Sequence, residues 1–230
     1  MNMNGSRVIG SVLGGIALVK LGVSWVFVIN AATYGFIIAA VLTVTIPNAT
    51  RLAGEASGLQ RMLEGFRVAR SNPVIGRVLI TCALFSFFCL IWIGQMPAVA
   101  DLNLGIAANS PAYGLLYGTF GIGALCGALA VGTIYAGRDL NRMVKAHMAG
   151  FAVLLAILAA WRVPAPAYPT IFVLGFFYFV VITGLSTILQ QQVDDARRGR
   201  VMALWIMAFG GTVPVGNLVL GPLMEWTNVS

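Results

Sequence analysis

Two uncharged polar side chains lie inside long apolar stretches of this sequence and are the first candidates for chemistry. Gln95 belongs to a stretch that ends near Ala100, and Asn217 belongs to the last stretch of the chain. Burying a polar group within an apolar span is costly, which makes each amide a functional candidate by default. The alternative for both is a hydrogen bond between neighbouring helices.

Acidic side chains, which a proton relay would need, are placed at the ends of the apolar stretches or between them. Asp101 and Glu225 lie near stretch ends, and the other five acids lie in connecting segments, namely Glu55, Glu64, Asp139, Asp194 and Asp195. A proton relay in a membrane requires a buried acid. Asp101 is therefore a weak candidate for this role, and the other acids are weaker still.

The remaining reactive residue types do not form a catalytic or metal-binding pattern. His147 is the single histidine, and the three cysteines lie in apolar runs, where we interpret them as small core residues. The glycine-rich segment at residues 120–127, FGIGALCG, loosely resembles a dinucleotide-binding loop, but it lies in the middle of an apolar stretch. We therefore predict no enzyme activity, no cofactor and no metal site.

The elements that position these residues are helices that cross a membrane. Of the 230 residues, 59% are hydrophobic and only 9% are charged, against about 25% charged in soluble domains. A run of about 20 apolar residues spans a bilayer as a helix. The sequence predicts an all-α transmembrane bundle of about seven spans: Val8–Gly22, Trp25–Ile46, Val78–Ala100, Ala112–Ala136, Ala146–Trp161, Ala167–Leu189 and Val201–Met224.

The basic residues predict how the spans are oriented. All of the 14 lysines and arginines except Lys20 and Arg162 lie in alternate connections, on one side of the predicted bundle. Because basic residues collect in cytoplasmic loops, we expect a multi-pass protein of the plasma membrane whose basic loops face the cytoplasm. The net charge of +7 is then a signal of topology, and we do not expect nucleic-acid binding.

The longest cytoplasmic connection, residues 47–75, contains a helix signal of its own. Ser57 and Gln60 have the spacing of a capping box, and Asn72-Pro73 ends the segment. One predicted face is apolar, with Leu59, Met62, Leu63 and Phe66, and the other is polar, with Gln60, Arg61, Glu64 and Arg67. We predict an interfacial helix on the inner leaflet that joins two bundles, and the alternative is an ordinary solvated connector.

Glycines recur at spacings that predict close helix contacts. Small residues four positions apart let helices approach closely in lipid. Gly10 and Gly14 have this spacing in the first span, as do Gly114/Gly118 and Gly123/Gly127 in the fourth. The last span also contains several glycines and prolines, which are typical of a helix that bends.

Several of these segments together resemble the major facilitator superfamily of transporters, in the branch with macrolide efflux pumps and the enterobactin exporter. Residues 7–15, RVIGSVLGG, resemble the antiporter motif of the family's fifth helix, with Ser11 in place of its proline. Residues 63–73 resemble the linker between the family's two halves, and residues 114–125 resemble its eighth helix. Residues 198–204, RGRVMAL, resemble the loop that leads into the eleventh helix.

The resemblance implies a fold and a domain arrangement. The chain would cover helices five to eleven of a twelve-helix fold. Residues 1–47 would be the last two helices of the N-terminal half, 48–75 the cytoplasmic linker, and 76–230 the C-terminal half without its final helix. We expect a fragment of an efflux transporter that acts by proton-driven antiport in the full-length parent. The alternative is a truncated chain that does not transport by itself.

The resemblance also implies roles for individual residues. The family's seventh helix lines the substrate cavity, which makes Gln95, beside a predicted bend at Pro97, a cavity residue. Aromatic side chains at such positions suit a small amphipathic substrate. The candidate cavity residues are Phe88, Trp92, Gln95, Tyr178, Trp205 and Asn217, with a lipid-facing or helix-packing position as the alternative for each aromatic. The glycines of the antiporter motif would be packing residues, namely Gly10, Gly14 and Gly15.

A cytoplasmic gate is predicted at the inner ends of the last two spans. Asp194 or Asp195 could pair with Arg200 there, next to Arg198 and Gly199. The alternative is a solvated run of charges that contributes little to stability. The predicted partners of the protein are the lipid bilayer, a small-molecule substrate and protons as coupling ion.

Overall fold

The computed structural model describes residues 23–43 and 58–227, and within these ranges every regular element is a helix. The chain divides into two compact units, residues 1–56 and 57–230. The described part of the first unit is one helix, α1 (Val23–Thr43). The second unit contains α2 (Gly58–Ser71), α3 (Pro73–Cys89), α4 (Ile91–Leu104), α5 (Pro111–Gly132), α6 (Leu140–Ala160), α7 (Pro164–Gln191), α8 (Asp195–Ile206), a π-helical turn (Met207–Gly211) and α9 (Thr212–Thr227).

These helices confirm the prediction of a polytopic transmembrane helical bundle. In the described residues, five segments are long and apolar enough to cross a membrane, and they correspond to the third to seventh predicted spans. The second predicted span corresponds to α1, whose apolar part, residues 27–43, is shorter. The first predicted span, with Gly10, Gly14 and Gly15, lies outside the described residues.

Polar caps and prolines set the starts of several helices. Asn72 precedes α3, and its side-chain oxygen accepts hydrogen bonds from the backbone N–H groups of Val74 and Ile75. Ser110 caps α5 in the same way, and Asp139 caps α6. These side chains satisfy backbone donors that the first turn of a helix leaves unpaired.

The long third span is interrupted at a different point from the one predicted. The sequence predicted a bend at Pro97, but the break between α3 and α4 lies at Leu90, two turns earlier, and Pro97 lies inside α4. A proline in a membrane helix is tolerated where neighbouring groups compensate for the missing N–H. In the last span, where a bend was expected, a π-helical turn separates α8 from α9 and ends at Gly211.

Helix α7 occupies the centre of the second unit, packed against α3, α5 and α6. Its closest neighbour is α5, because glycines on both helices bring the backbones together. A Cβ atom at Gly123, Gly127 or Gly175 would collide with a backbone carbonyl of the facing helix. The predicted close approach at Gly123/Gly127 is thus confirmed, whereas within the described residues no atom of another element lies within 4 Å of the Cβ position of Gly114 or Gly118, where the same prediction stays untested.

The linker helix α2 lies against α8, and its placement on the inner leaflet remains a prediction. Gly65 is buried, with Arg200 O only 3.2 Å from where its Cβ would lie. Leu63 and Phe66 of the predicted apolar face are exposed, and Arg67 is exposed beside them rather than on the opposite face. The domain boundaries at residues 47 and 75 remain predictions.

Candidate functional site

Five aromatic side chains, one from each of five consecutive helices, meet in the interior of the second unit. The ring centroids of Trp92 and Phe120 lie 5.4 Å apart, as do those of Phe85 and Phe151. Tyr178 contacts three of these rings, at 5.9 Å from Phe85, 5.8 Å from Phe120 and 6.4 Å from Phe151. We call these five residues the aromatic cluster. Aromatic pairs at such distances add stability beyond their buried area.

Trp92 brings a buried polar atom into the aromatic cluster. Its Nε1 atom is buried and has no hydrogen-bond partner within the described part of the chain. An indole N–H can only donate, and an unsatisfied buried donor costs about 1–3 kcal/mol. A guest molecule with an acceptor atom at this position would remove that cost.

One of the two predicted amides, Asn217, lies where α4 and α9 come together. Asn217 donates from Nδ2 to Val213 O of its own helix at 3.1 Å, and its Oδ1 lies 3.2 Å from the Cβ position of Gly94. Gly94 has no side chain, so the Asn217 amide fits directly against α4. Gln95 is the next residue and is half-buried. The amide of Asn217 thus bonds within its helix and contacts the neighbouring helix without a hydrogen bond to it.

The structure separates the predicted cavity residues into different places. Trp92 and Tyr178 both belong to the aromatic cluster. Trp205 is buried on α8 and stacks on Phe209, with their ring planes 3° from parallel. Phe88 is 60% exposed, on an outward face of α3. The cavity assignment of these residues and of Gln95 and Asn217 remains a prediction.

The aromatic cluster also contains residues that the sequence did not single out. Phe85, Phe120 and Phe151 are buried, and no functional motif distinguishes Phe85 or Phe151 from other phenylalanines of the spans. For Phe120, the one feature of the sequence that could have marked it is its position at the start of the glycine-rich segment of α5.

At the predicted gate, Arg200 pairs with a residue of another element. Its Nη1 atom lies 3.0 Å from Oε2 of Glu64 on α2. Asp194 is exposed at the start of α8, and the side chain of Asp195 lies outside the described ones. Arg198 is exposed, and no atom of another element lies near Gly199. The sequence had placed Glu64 on a polar helix face, but it gave no sign that this face meets α8.

His147 forms a second polar cluster between α6 and the turn after α5. Its Nδ1 lies 2.8 Å from Met143 O, and its Nε2 lies 3.0 Å from the hydroxyl of Tyr135. Because a carbonyl only accepts, Nδ1 carries the proton in the neutral ring, and Nε2 accepts from Tyr135. The Phe177 ring meets the imidazole edge-on at 4.8 Å. Both ring nitrogens are therefore occupied.

Comparison with known proteins connects this bundle to exporters. The enterobactin exporter EntS of Citrobacter koseri is 28% identical over 220 residues, and that of Escherichia coli O1:K1 is 25% identical over 226 residues. Each alignment covers 94% of this chain and 51% of the relative, so the chain spans about half the length of these curated relatives. No solved structure matches the chain.

A family described as "Transmembrane secretion effector" matches residues 1–230. This match covers the aromatic cluster, the α4–α9 contact and the Glu64–Arg200 pair alike. The family and the named relatives are transporters, which agrees with the prediction from the sequence that the protein is not an enzyme. The chain belongs to the transmembrane secretion effector family of the major facilitator superfamily.

Proposed function

We propose that the protein takes part in the export of a small amphipathic compound, of drug or siderophore type. Family membership and the enterobactin exporters among its relatives support export. The aromatic cluster supports an amphipathic cargo, because aromatic rings offer large apolar contact area and stacking partners. Enterobactin itself is one compound to test.

The observation that carries the proposal is the unpaired N–H of Trp92 among aromatic rings. An apolar core that served only stability would gain by a phenylalanine at this position, since the buried donor is a cost. A cargo with a ring and a carbonyl or phenolic oxygen would stack on the cluster and accept from Nε1. We therefore propose Trp92 and Tyr178 as substrate-contacting residues.

The remaining predicted cavity residues extend this proposed surface. Asn217 lies against Gly94 of α4, and Gln95 is the next residue of that helix; both would offer amide groups to a cargo. Phe88 and Trp205 would contact it only if the helices that bear them face the substrate route. For Phe88 the exposed position on α3 is compatible with that role and also with a lipid contact.

We further propose that transport is coupled to proton entry, as in antiporters of this superfamily, and that the basic loops face the cytoplasm. Among the acidic side chains that the structure describes, Asp101 lies on a span and is exposed. The segment of residues 194–200 and its Glu64–Arg200 pair would act as a gate on the cytoplasmic side.

Efflux from intact cells tests the proposal. Cells without endogenous drug pumps would be loaded with rhodamine 123, an amphipathic dye with an ester carbonyl, and energised with glucose. We expect cells that express the chain to retain less dye than cells that express Trp92→Phe at the same membrane level. A protonophore should abolish the difference. Retention equal to that of cells with an empty vector, despite dye binding by the purified chain, would contradict export by this chain, and equal retention in the two expressing lines would contradict the role of Trp92.

The alternative, a chain that does not transport by itself, predicts a different combination of results. Purified chain would then bind the dye with the same dependence on Trp92, while cells would show no efflux. Measuring binding and efflux on the same variants separates these two interpretations. Absence of both would contradict the substrate site itself.

A further inference from the structure

One face of α2 carries apolar and basic side chains that are exposed in the described part of the chain. Leu63 is 55% exposed and Phe66 is 50% exposed. Arg67 and Arg70 are also exposed, and the spacing 63, 66, 67, 70 places all four on one side of a helix. We call these four residues the outer face of α2.

The opposite side of α2 is fixed to the protein through polar and small residues. Glu64 pairs with Arg200 of α8 at 3.0 Å, and Gly65 lets the two backbones approach. Val68 and Ala69 are half-buried on the same side. A connector helix in water would turn its apolar side toward the protein and its charges outward. Here the large apolar side chains point away from the protein.

The C-terminal end of α2 is fixed at the end of a membrane span. Asn72 alone separates it from α3, which begins the span Pro73–Leu104. The N–H of Asn72 donates to Val68 O at 3.1 Å, and Ala69 O lies 2.8 Å from the Cβ position of Gly76. Since these contacts hold α2 at the start of a candidate span, we expect the helix at the level where a bilayer changes from acyl chains to headgroups.

We propose that the outer face of α2 is a binding site for anionic phospholipid headgroups. Leu63 and Phe66 would insert among the upper acyl chains, and Arg67 and Arg70 would bind the phosphates. Glu64 is the single acid in the sequence of α2, and its pairing with Arg200 leaves the outer face with positive charge only. The site does not depend on which compound is transported.

Hydrogen exchange of the full chain in lipid nanodiscs tests this site. Amide exchange of residues 58–71 would be compared in phosphatidylcholine and in equal parts of phosphatidylcholine and phosphatidylglycerol. We expect slower exchange with phosphatidylglycerol, an effect that salt weakens, with about a fivefold loss of protection for each arginine removed in Arg67→Gln and Arg70→Gln. The paired variant Leu63→Ser/Phe66→Ser should lose protection in both lipids.

Arg138→Gln/Arg142→Gln is the matched control, because these arginines are also exposed and lie on the same predicted side, but outside α2. This control should keep the full response to phosphatidylglycerol. Equal exchange in both lipids, or an equal loss in the control, would overturn the proposal. A third outcome is protection that rises with the number of chains per nanodisc and not with anionic lipid. This result would mean that a second copy of the chain binds the outer face of α2, and it would also overturn the proposal.

Discussion

The glycine contact between α5 and α7 allows a quantitative test of how the bundle is held together. In Gly127→Ala the new methyl group would collide with Phe176 O and lie 2.9 Å from its carbonyl carbon. The obstructing atoms are backbone atoms in the middle of α7, which cannot rotate away. Overpacking of this kind costs about 1–3 kcal/mol, and we expect the upper half of that range.

Gly118→Ala provides the matched control on the same helix. No atom of another element lies within 4 Å of its Cβ position. Both variants gain the same helix propensity, up to about 1 kcal/mol for alanine over glycine, so the difference between them isolates the collision. Reversible unfolding of the purified chain in mixed micelles with increasing dodecyl sulfate would measure it. Equal unfolding midpoints for the two variants would refute the close α5–α7 contact.

Three further predictions concern polar contacts. Tyr135→Phe removes the hydrogen bond to His147 and should lower the free energy of unfolding by about 1 kcal/mol. Tyr117→Phe is the control and should leave this free energy unchanged. Thermal unfolding of both variants in detergent tests the prediction. Asp139→Ala removes the cap of α6 and should cost about 1 kcal/mol, with most of it restored in Asp139→Asn; a loss that asparagine does not restore would contradict the capping role. Glu64→Gln breaks a half-exposed ion pair and should change stability by less than about 1 kcal/mol, while hydrogen exchange of residues 58–71 should become faster; unchanged exchange would show that the pair does not fix α2.

The fold was predictable from the sequence because apolar runs of bilayer length and the distribution of charges are strong signals. The break at Leu90 was not predictable, since no proline or glycine lies at that position. The bend was predicted at Pro97 instead, because proline commonly interrupts a helix. Glycine spacing predicted close contacts at two sites in α5, and among the described helices it is confirmed at the site that faces α7. Spacing identifies which residues permit close approach, and the packing partner decides which of them are used.

The candidate site was predictable only in part, for a similar reason. Trp92 and Tyr178 could be singled out because aromatic residues within spans are candidate cavity residues, but their three neighbours in the aromatic cluster lie on three other helices. The pairing of Arg200 with Glu64 joins residues that lie well over 100 positions apart. A single sequence does not record which distant helix faces meet, so such partners emerge only from the structure.

Dye binding by the Trp92→Phe variant tests the central claim most directly. Purified chain would be titrated with rhodamine 123 and with ethidium, an aromatic cation without a carbonyl group. Trp161→Phe is the control, because the Trp161 N–H already donates to Thr170 at 3.1 Å. We predict that Trp92→Phe raises the Kd for rhodamine 123 by about 2- to 10-fold, the value of one hydrogen bond, with little change for ethidium and none in the control. An unchanged Kd for both dyes in Trp92→Phe would contradict the assignment of this aromatic cluster as the substrate site.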